Sequence, residues 1–275
     1  MDPQGPISRA EKSILIDSLA IMLAIVAPTI VAIFGFAWWF RASNRKARYQ
    51  PNWAYSGQIE LVVWAIPALV VTLLGGVIWI GSHELDPGKR IKSSQPAFEV
   101  QVVSLDWKWL FIYPGQNIAT VNTLTIPTGV PVHFSLTSAS VMNAFFIPQL
   151  GSMIYTMNGM TTRLNLQADK AGVFHGLSSH FSGDGFSDMN FEVHAVSPAA
   201  FANWAKITGQ VSATIDSQSY TELAKQSSKV APASFRLGDP NLFQSIATQK
   251  ILASPGSRAE APKQRGAQAG GDDVR

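Results

Sequence analysis

The sequence predicts a two-helix transmembrane hairpin followed by an antiparallel β-sandwich and then by short helices. Three observations carry this. Two long apolar blocks lie near the N-terminus, the sequence after about Ser82 changes to short alternating runs separated by turns, and the alternation stops at Ser197-Pro198. With 47% apolar and 14% charged residues among 275, the chain is too apolar for a typical soluble protein and too polar to be embedded throughout. An anchor followed by a water-soluble domain satisfies both limits.

The first block runs from Ser13 to Phe40 and carries one acid, Asp17, near one end. It exceeds the roughly 20 residues that a bilayer span needs. The second, Leu61 to Ile80, is uncharged and has the length of one span. A cleavable signal peptide would have a shorter apolar region and small residues at its end, whereas the first block ends in Trp38, Trp39 and Phe40. Between the blocks stand Arg41, Arg45, Lys46 and Arg48, with no acid before Glu60, so the positive-inside rule places this loop in the cytoplasm and both termini outside. Trp38, Trp39, Trp53 and Tyr55 form an aromatic belt at that interface. Pro28 and Pro67 each remove a backbone donor within a span, which calls for neighbouring helices to cover the freed carbonyls.

Beyond the linker HELDPGKRIKSSQP, strands are read from period-two burial. Phe98, Val100 and Val102 alternate with Glu99 and Gln101; Val132, Phe134 and Leu136 with His133, Ser135 and Thr137; Phe191, Val193 and Ala195 with Asn190, Glu192 and His194. At least six such runs, parted by Gly- and Pro-rich turns, suit a sandwich or small barrel. Ser197 as N-cap with Pro198 at the first helical position then starts a helix, and SYTELAKQ and NLFQSIATQKIL read as further short helices. The predicted units are a hairpin over 1–84, a β-domain over 97–197, a helical extension over 198–253 and a disordered tail over 254–275.

Composition excludes much chemistry. There is no cysteine, hence no disulfide, thiolate nucleophile, iron-sulfur cluster or thiolate-bound copper. The net charge of +3 is small and owes much to one loop, so no nucleic-acid partner is expected. Ser178, Ser179 and His180 are sequence neighbours, but no elbow motif surrounds them to make a hydrolase.

Four segments decide between the remaining classes: NWAYSGQIELVVWAIPALVV, VSLDWKWLFIYP, SVMNAFFIPQLGSMIYTMNGMTTRL and FHGLSSHFSGDGFSDMNFEV. In this order they resemble subunit II of the haem-copper terminal oxidases, most closely the cytochrome bo-type ubiquinol oxidases, over about Asp2 to Trp204. The resemblance implies a β-domain of cupredoxin type and an inner-membrane location, with both termini and the β-domain periplasmic. It implies membership of a proton-pumping quinol:oxygen oxidoreductase. The haems and one copper would lie in a partner subunit I, with further small subunits, membrane lipid and ubiquinol as partners of the complex. Relatives of this branch often carry a signal peptide and a lipid-bearing cysteine; the sequence opens Met1-Asp2-Pro3 with neither and gives no ground for lipidation.

In the cytochrome c oxidase branch this domain holds a two-copper centre. Carried over by resemblance, its first histidine falls on Asn143, its bridging cysteines on Ser178 and Ser182, its glutamate on His180, its second histidine on Phe186 and its methionine on Met189. Only the methionine survives. A serine hydroxyl is a hard, un-ionised oxygen near neutrality and cannot replace a bridging thiolate, and phenylalanine has no donor. The chain is therefore expected to hold no cofactor and to take no electrons from cytochrome c. Met189, Trp107 and Trp109 are read as packing residues, His133 and His194 as solvent-facing, His83 as interfacial, and His175 and His180 as too few for a metal site.

Glu60 keeps a functional reading. Trp64 and Pro67 follow at i+4 and i+7 on the same helical face, and in the family this glutamate lies at the cytoplasmic mouth of a proton-uptake pathway. Two rival readings stay open: a copper-bearing electron-entry subunit, and a free-standing membrane-anchored binding module.

Overall fold

The computed structural model describes residues 2–48 and 50–251; the tail expected to be disordered, 254–275, lies outside them. The chain opens with α1 (Pro6–Trp39) and α2 (Gly57–Glu84), both long and apolar enough to cross a membrane. At 1.5 Å per residue α1 is about 51 Å long, more than a bilayer core requires, because it starts seven residues before the apolar block.

That extra length docks the hairpin onto the β-domain. Gln4 N–H donates to Gln149 O (2.8 Å), Asp169 N–H to Gln4 O (2.9 Å), and the Ser8 hydroxyl to Gln149 O (2.8 Å). Arg9 pairs with Asp169, and Ser152 donates to Glu11. A side chain at Gly5 would run into Gln167 O, so the close backbone approach requires glycine. Near its base, α1 touches α2 where Ile14 lies over Gly81. The linker is tied down as well: Asn165 N–H and Nδ2 both donate to Pro87 O (3.0 and 3.1 Å), and Asn165 Oδ1 meets the ring of His133 (2.8 Å). His133 is thus a half-buried clamp and not the solvent-facing residue that its polar strand face suggests.

Among the described residues twelve strands follow, ten of them before the third α-helix. They are β1 (Phe98–Leu105), β2 (Lys108–Tyr113), β3 (Ile118–Val121), β4 (Thr123–Pro127), β5 (Val132–Ser138), β6 (Asn143–Phe146), β7 (Ile154–Thr156), β8 (Thr162–Leu166), β9 (Gly172–Ser178) and β10 (Asn190–Val196). The C-terminal part adds α3 (Pro198–Thr208), β11 (Thr214–Ile215), α4 (Ser217–Leu223), β12 (Ala233–Leu237) and α5 (Leu242–Ala247). One sheet has the order β11-β12-β3-β2-β1-β5-β8 and the other β4-β10-β9-β6-β7. Most neighbours are antiparallel, but β1·β5, β4·β10 and β11·β12 run parallel. A Greek-key sandwich makes such pairs when the chain crosses between sheets before returning.

The predicted alternation holds where one sheet face is covered. Val100 and Val102 are buried between the sheets with Phe134, Leu136, Phe191 and Val193. From Val103 onward both faces of β1 are buried, because Val103 and Leu105 join Leu110 and Ile112 under Tyr220, Leu242, Phe243 and Ile246 of the C-terminal part. The short helices occur as expected, with the Ser197 hydroxyl accepting from Ala200 N–H to cap α3. The extension is not helical alone, however. β12 pairs with β3 and extends the first sheet, a contact that ASFRL does not announce by strong alternation.

Candidate functional site

The hairpin between β1 and β2 faces the long loop between β9 and β10, residues 179–189, and here the positions carried over from the copper-bearing branch meet. Trp107, in the turn, has φ 63, a sparsely allowed conformation for a bulky residue. Its ring lies against Gly185 and Gly183, where a Cβ at Gly185 would overlap the indole, and Nε1 donates to Ser182 O (3.4 Å). Trp109 points the other way, fully buried, with Nε1 donating to Met189 O (3.5 Å). The loop is thus held by indole rings from two sides.

At its base the carried-over residues bond to one another. Asn143 is buried at the start of β6; its Nδ2 donates to Val141 O (3.3 Å) and its Oδ1 lies 3.4 Å from the Ser178 hydroxyl. That hydroxyl is shared with His180 O at 3.3 Å, and the Ser178 N–H donates to Met189 O (3.1 Å). Met189 itself is 1% exposed and belongs to the core between the sheets. His180 is exposed and stands edge-on to Tyr155, and Phe186 sits beside the exposed ring of Phe181. The Ser182 hydroxyl is buried and has no hydrogen-bond partner among the described residues.

Asn143, Ser178 and Met189 are thus linked at the base of the loop with the His180 carbonyl, while Phe186 is half-buried beside Phe181 and the Ser182 carbonyl accepts from Trp107. Neutral amide and hydroxyl groups already bonded to backbone offer no thiolate, and the one imidazole, that of His180, lies exposed against Tyr155, so this donor set does not fit a soft copper pair. Among the described residues, no group of three or more His, Asp or Glu could hold a metal ion. Replacing Ser178 by alanine is expected to cost about 1 kcal/mol, the usual worth of one neutral hydrogen bond, with a denaturation midpoint shift as the check.

The second candidate lies at the other end of the molecule. Glu60 is in the first turn of α2, exposed, with Oε2 accepting from Trp64 Nε1 (3.2 Å). Two side chains that the i, i+4 spacing places on one face thus meet directly. Among the described residues Glu60 makes no ion pair with the basic loop, and Trp64 and Pro67 are exposed as it is, so the face they share is open. Trp38, Trp39, Trp53 and Tyr55 are all exposed around the same end.

One cluster escaped the sequence reading. Lys108, only 1% exposed, donates from Nζ to Lys225 O (2.7 Å) and the Ser227 hydroxyl (2.6 Å), with Asp106 O at 3.4 Å. Asp106 is also buried and accepts from Ser140. Desolvation by burial holds the Lys108 ammonium below its ordinary pKa, partly countered by the charge of Asp106. The available signal was a lysine inside DWKWLF, a run otherwise too apolar for a solvent-facing charge.

Comparison with known proteins agrees with the geometry. A family model described as cytochrome C oxidase subunit II, periplasmic domain, matches residues 100–196. The chain is 45% identical over 248 residues to a cytochrome bo(3) ubiquinol oxidase subunit 2 of Pseudomonas aeruginosa, covering 90% of this chain and 75% of that protein. It is 44% identical to a ubiquinol oxidase subunit 2 of Acetobacter aceti (90% and 80% covered) and 35% identical to a quinol oxidase subunit 2 of Bacillus cereus (82% and 78%). Likeness at this level, spanning the hairpin and the β-domain together, shows that the chain belongs to the ubiquinol oxidase subunit 2 family of the haem-copper oxidases, as a subunit of an oxidoreductase complex.

Proposed function

We propose that the chain serves its oxidase as membrane anchor, outer-face scaffold and proton-entry point, and not as an electron carrier. The donor set around Asn143 and Ser178 supports the last part: with no cysteine in the chain, the electron-entry route of the cytochrome c oxidase branch has no chemistry to run on. Electrons would then come from ubiquinol to haems and a copper held in subunit I, with the other small subunits completing the complex and no role for cytochrome c.

The proton reading rests on Glu60. A carboxylate at the membrane boundary, oriented by one indole N–H and free of the nearby cations, can take a proton from water and pass it to a partner seated on the Trp64 face. In the assembled oxidase, Glu60→Ala is expected to slow quinol-driven oxygen uptake about three- to tenfold, or about 0.6–1.4 kcal/mol on the limiting barrier. Glu60→Asp should lose less, and haem content should not change. Unaltered turnover in Glu60→Ala would remove the assignment.

The basic loop with Arg41, Arg45, Lys46 and Arg48 supports an orientation in which that loop is cytoplasmic and the β-domain periplasmic. Because the chain lacks cysteine, single replacements report without background. In spheroplasts a membrane-impermeant maleimide is expected to label Ser94→Cys and to spare Ala42→Cys until the membrane is opened; the reverse pattern would invert the topology.

A further inference from the structure

At the end of the hairpin away from the β-domain, the inter-helix loop borders a half-open groove of about 1140 Å³, walled by Phe36, Trp39 and Trp53 and rimmed by Arg41, Lys46 and Arg48. Its charge is uncompensated. No acid occurs between Asp17 and Glu60, and the Glu60 carboxylate is engaged by Trp64. Arg41 is partly occupied, donating to Trp38 O (3.0 Å) and the Ser43 hydroxyl (3.0 Å) while lying 5.0 Å over the Trp38 ring. Arg45, Lys46 and Arg48 are exposed and, among the described residues, make no side-chain hydrogen bond or ion pair.

We propose that this groove binds an anionic phospholipid, its phosphodiester held by Lys46 and Arg48 and an acyl chain laid along the wall at Phe36. Charge and shape act together. A free anion would meet the cations but leave the aromatic wall wet, and a zwitterionic lipid would fill the wall but bring its own ammonium to a cationic rim. A lipid of net negative charge, of the phosphatidylglycerol or cardiolipin class, uses both. The position at the end of two apolar spans, among tryptophans, is headgroup depth. The inference rests on the hairpin spanning a bilayer and is indifferent to which side the loop faces.

The test uses the whole oxidase, purified in mild detergent, stripped of loosely bound lipid and titrated with phosphatidylglycerol or phosphatidylcholine while adducts are counted by native mass spectrometry. The wild type is expected to prefer phosphatidylglycerol, and the variant Lys46→Ala/Arg48→Ala to bind it on the order of twenty-five-fold more weakly, at about fivefold per cation. Inorganic phosphate should not displace the lipid. Equal binding of the two lipids, an unaffected double variant, displacement by phosphate alone, or no lipid on the wild type because a partner chain fills the groove would each overturn the proposal. Maleimide labelling of Ser94→Cys in the double variant separates a lost lipid site from a hairpin that failed to insert.

Discussion

Trp109→Ala is expected to destabilise the β-domain by about 3–5 kcal/mol, the range for removing a large aromatic from a packed core. Trp109 is fully buried, edge-on to Phe145 (5.3 Å) and Phe191 (5.7 Å), and those two rings stack on each other at 5.2 Å. The space cannot collapse easily, since Gly176 on the next strand already lies against the Phe191 ring. The substitution also strips Met189 O of the indole donor, loosening the base of the 179–189 loop. Denaturant unfolding of the chain in micelles, followed by far-ultraviolet circular dichroism, measures the loss, and Trp109→Phe should recover more than half of it by refilling the ring volume. A loss below about 1 kcal/mol would mean that the aromatic cluster does not bear the fold.

The second large effect is expected at Lys108. Lys108→Met keeps the length of the side chain but leaves Lys225 O, the Ser227 hydroxyl and the buried Asp106 without their donor or nearby cation. Groups stranded in this way typically cost about 2–4 kcal/mol together. Because Lys108 ties β2 to the segment after α4, the extension should loosen first, and limited proteolysis near Lys225 should accelerate before the sandwich melts. The pH dependence has a definite sign. The folded protein holds this proton less tightly than the unfolded chain, so protonation favours unfolding. The penalty is complete below the depressed folded pKa and fades as pH rises towards the ordinary value of 10.5. Over that alkaline window, unfolding free energy should rise more steeply with pH in the wild type than in Lys108→Met; parallel slopes would show that Lys108 titrates normally.

Much of the site was legible because its logic is compositional. A chain without cysteine cannot build a thiolate-bridged copper centre whatever its fold, and an acid four residues before a tryptophan on a helix shares its face. What Ser178 and Asn143 do instead was not legible: they lie 35 positions apart, and only the adjacency of β6 and β9 brings their side chains together. The role of Trp107 was hidden for the same reason. Nothing local links it to Gly183 and Gly185, yet their missing side chains make room for its ring.

By itself the sequence determined the hairpin, the strand faces of β1, β5 and β10, the cap at Ser197 and the absence of a copper ligand set, because each depends on residue type and on spacing within one element. Only the tertiary structure decided that the first turns of α1 belong to the β-domain's surface and that Val103 and Leu105 are buried under the C-terminal helices. The same holds for Lys108, which ties those helices down. Such contacts join segments tens to more than a hundred residues apart, and burial on a second face depends on what arrives to cover it, which no periodicity within the strand encodes.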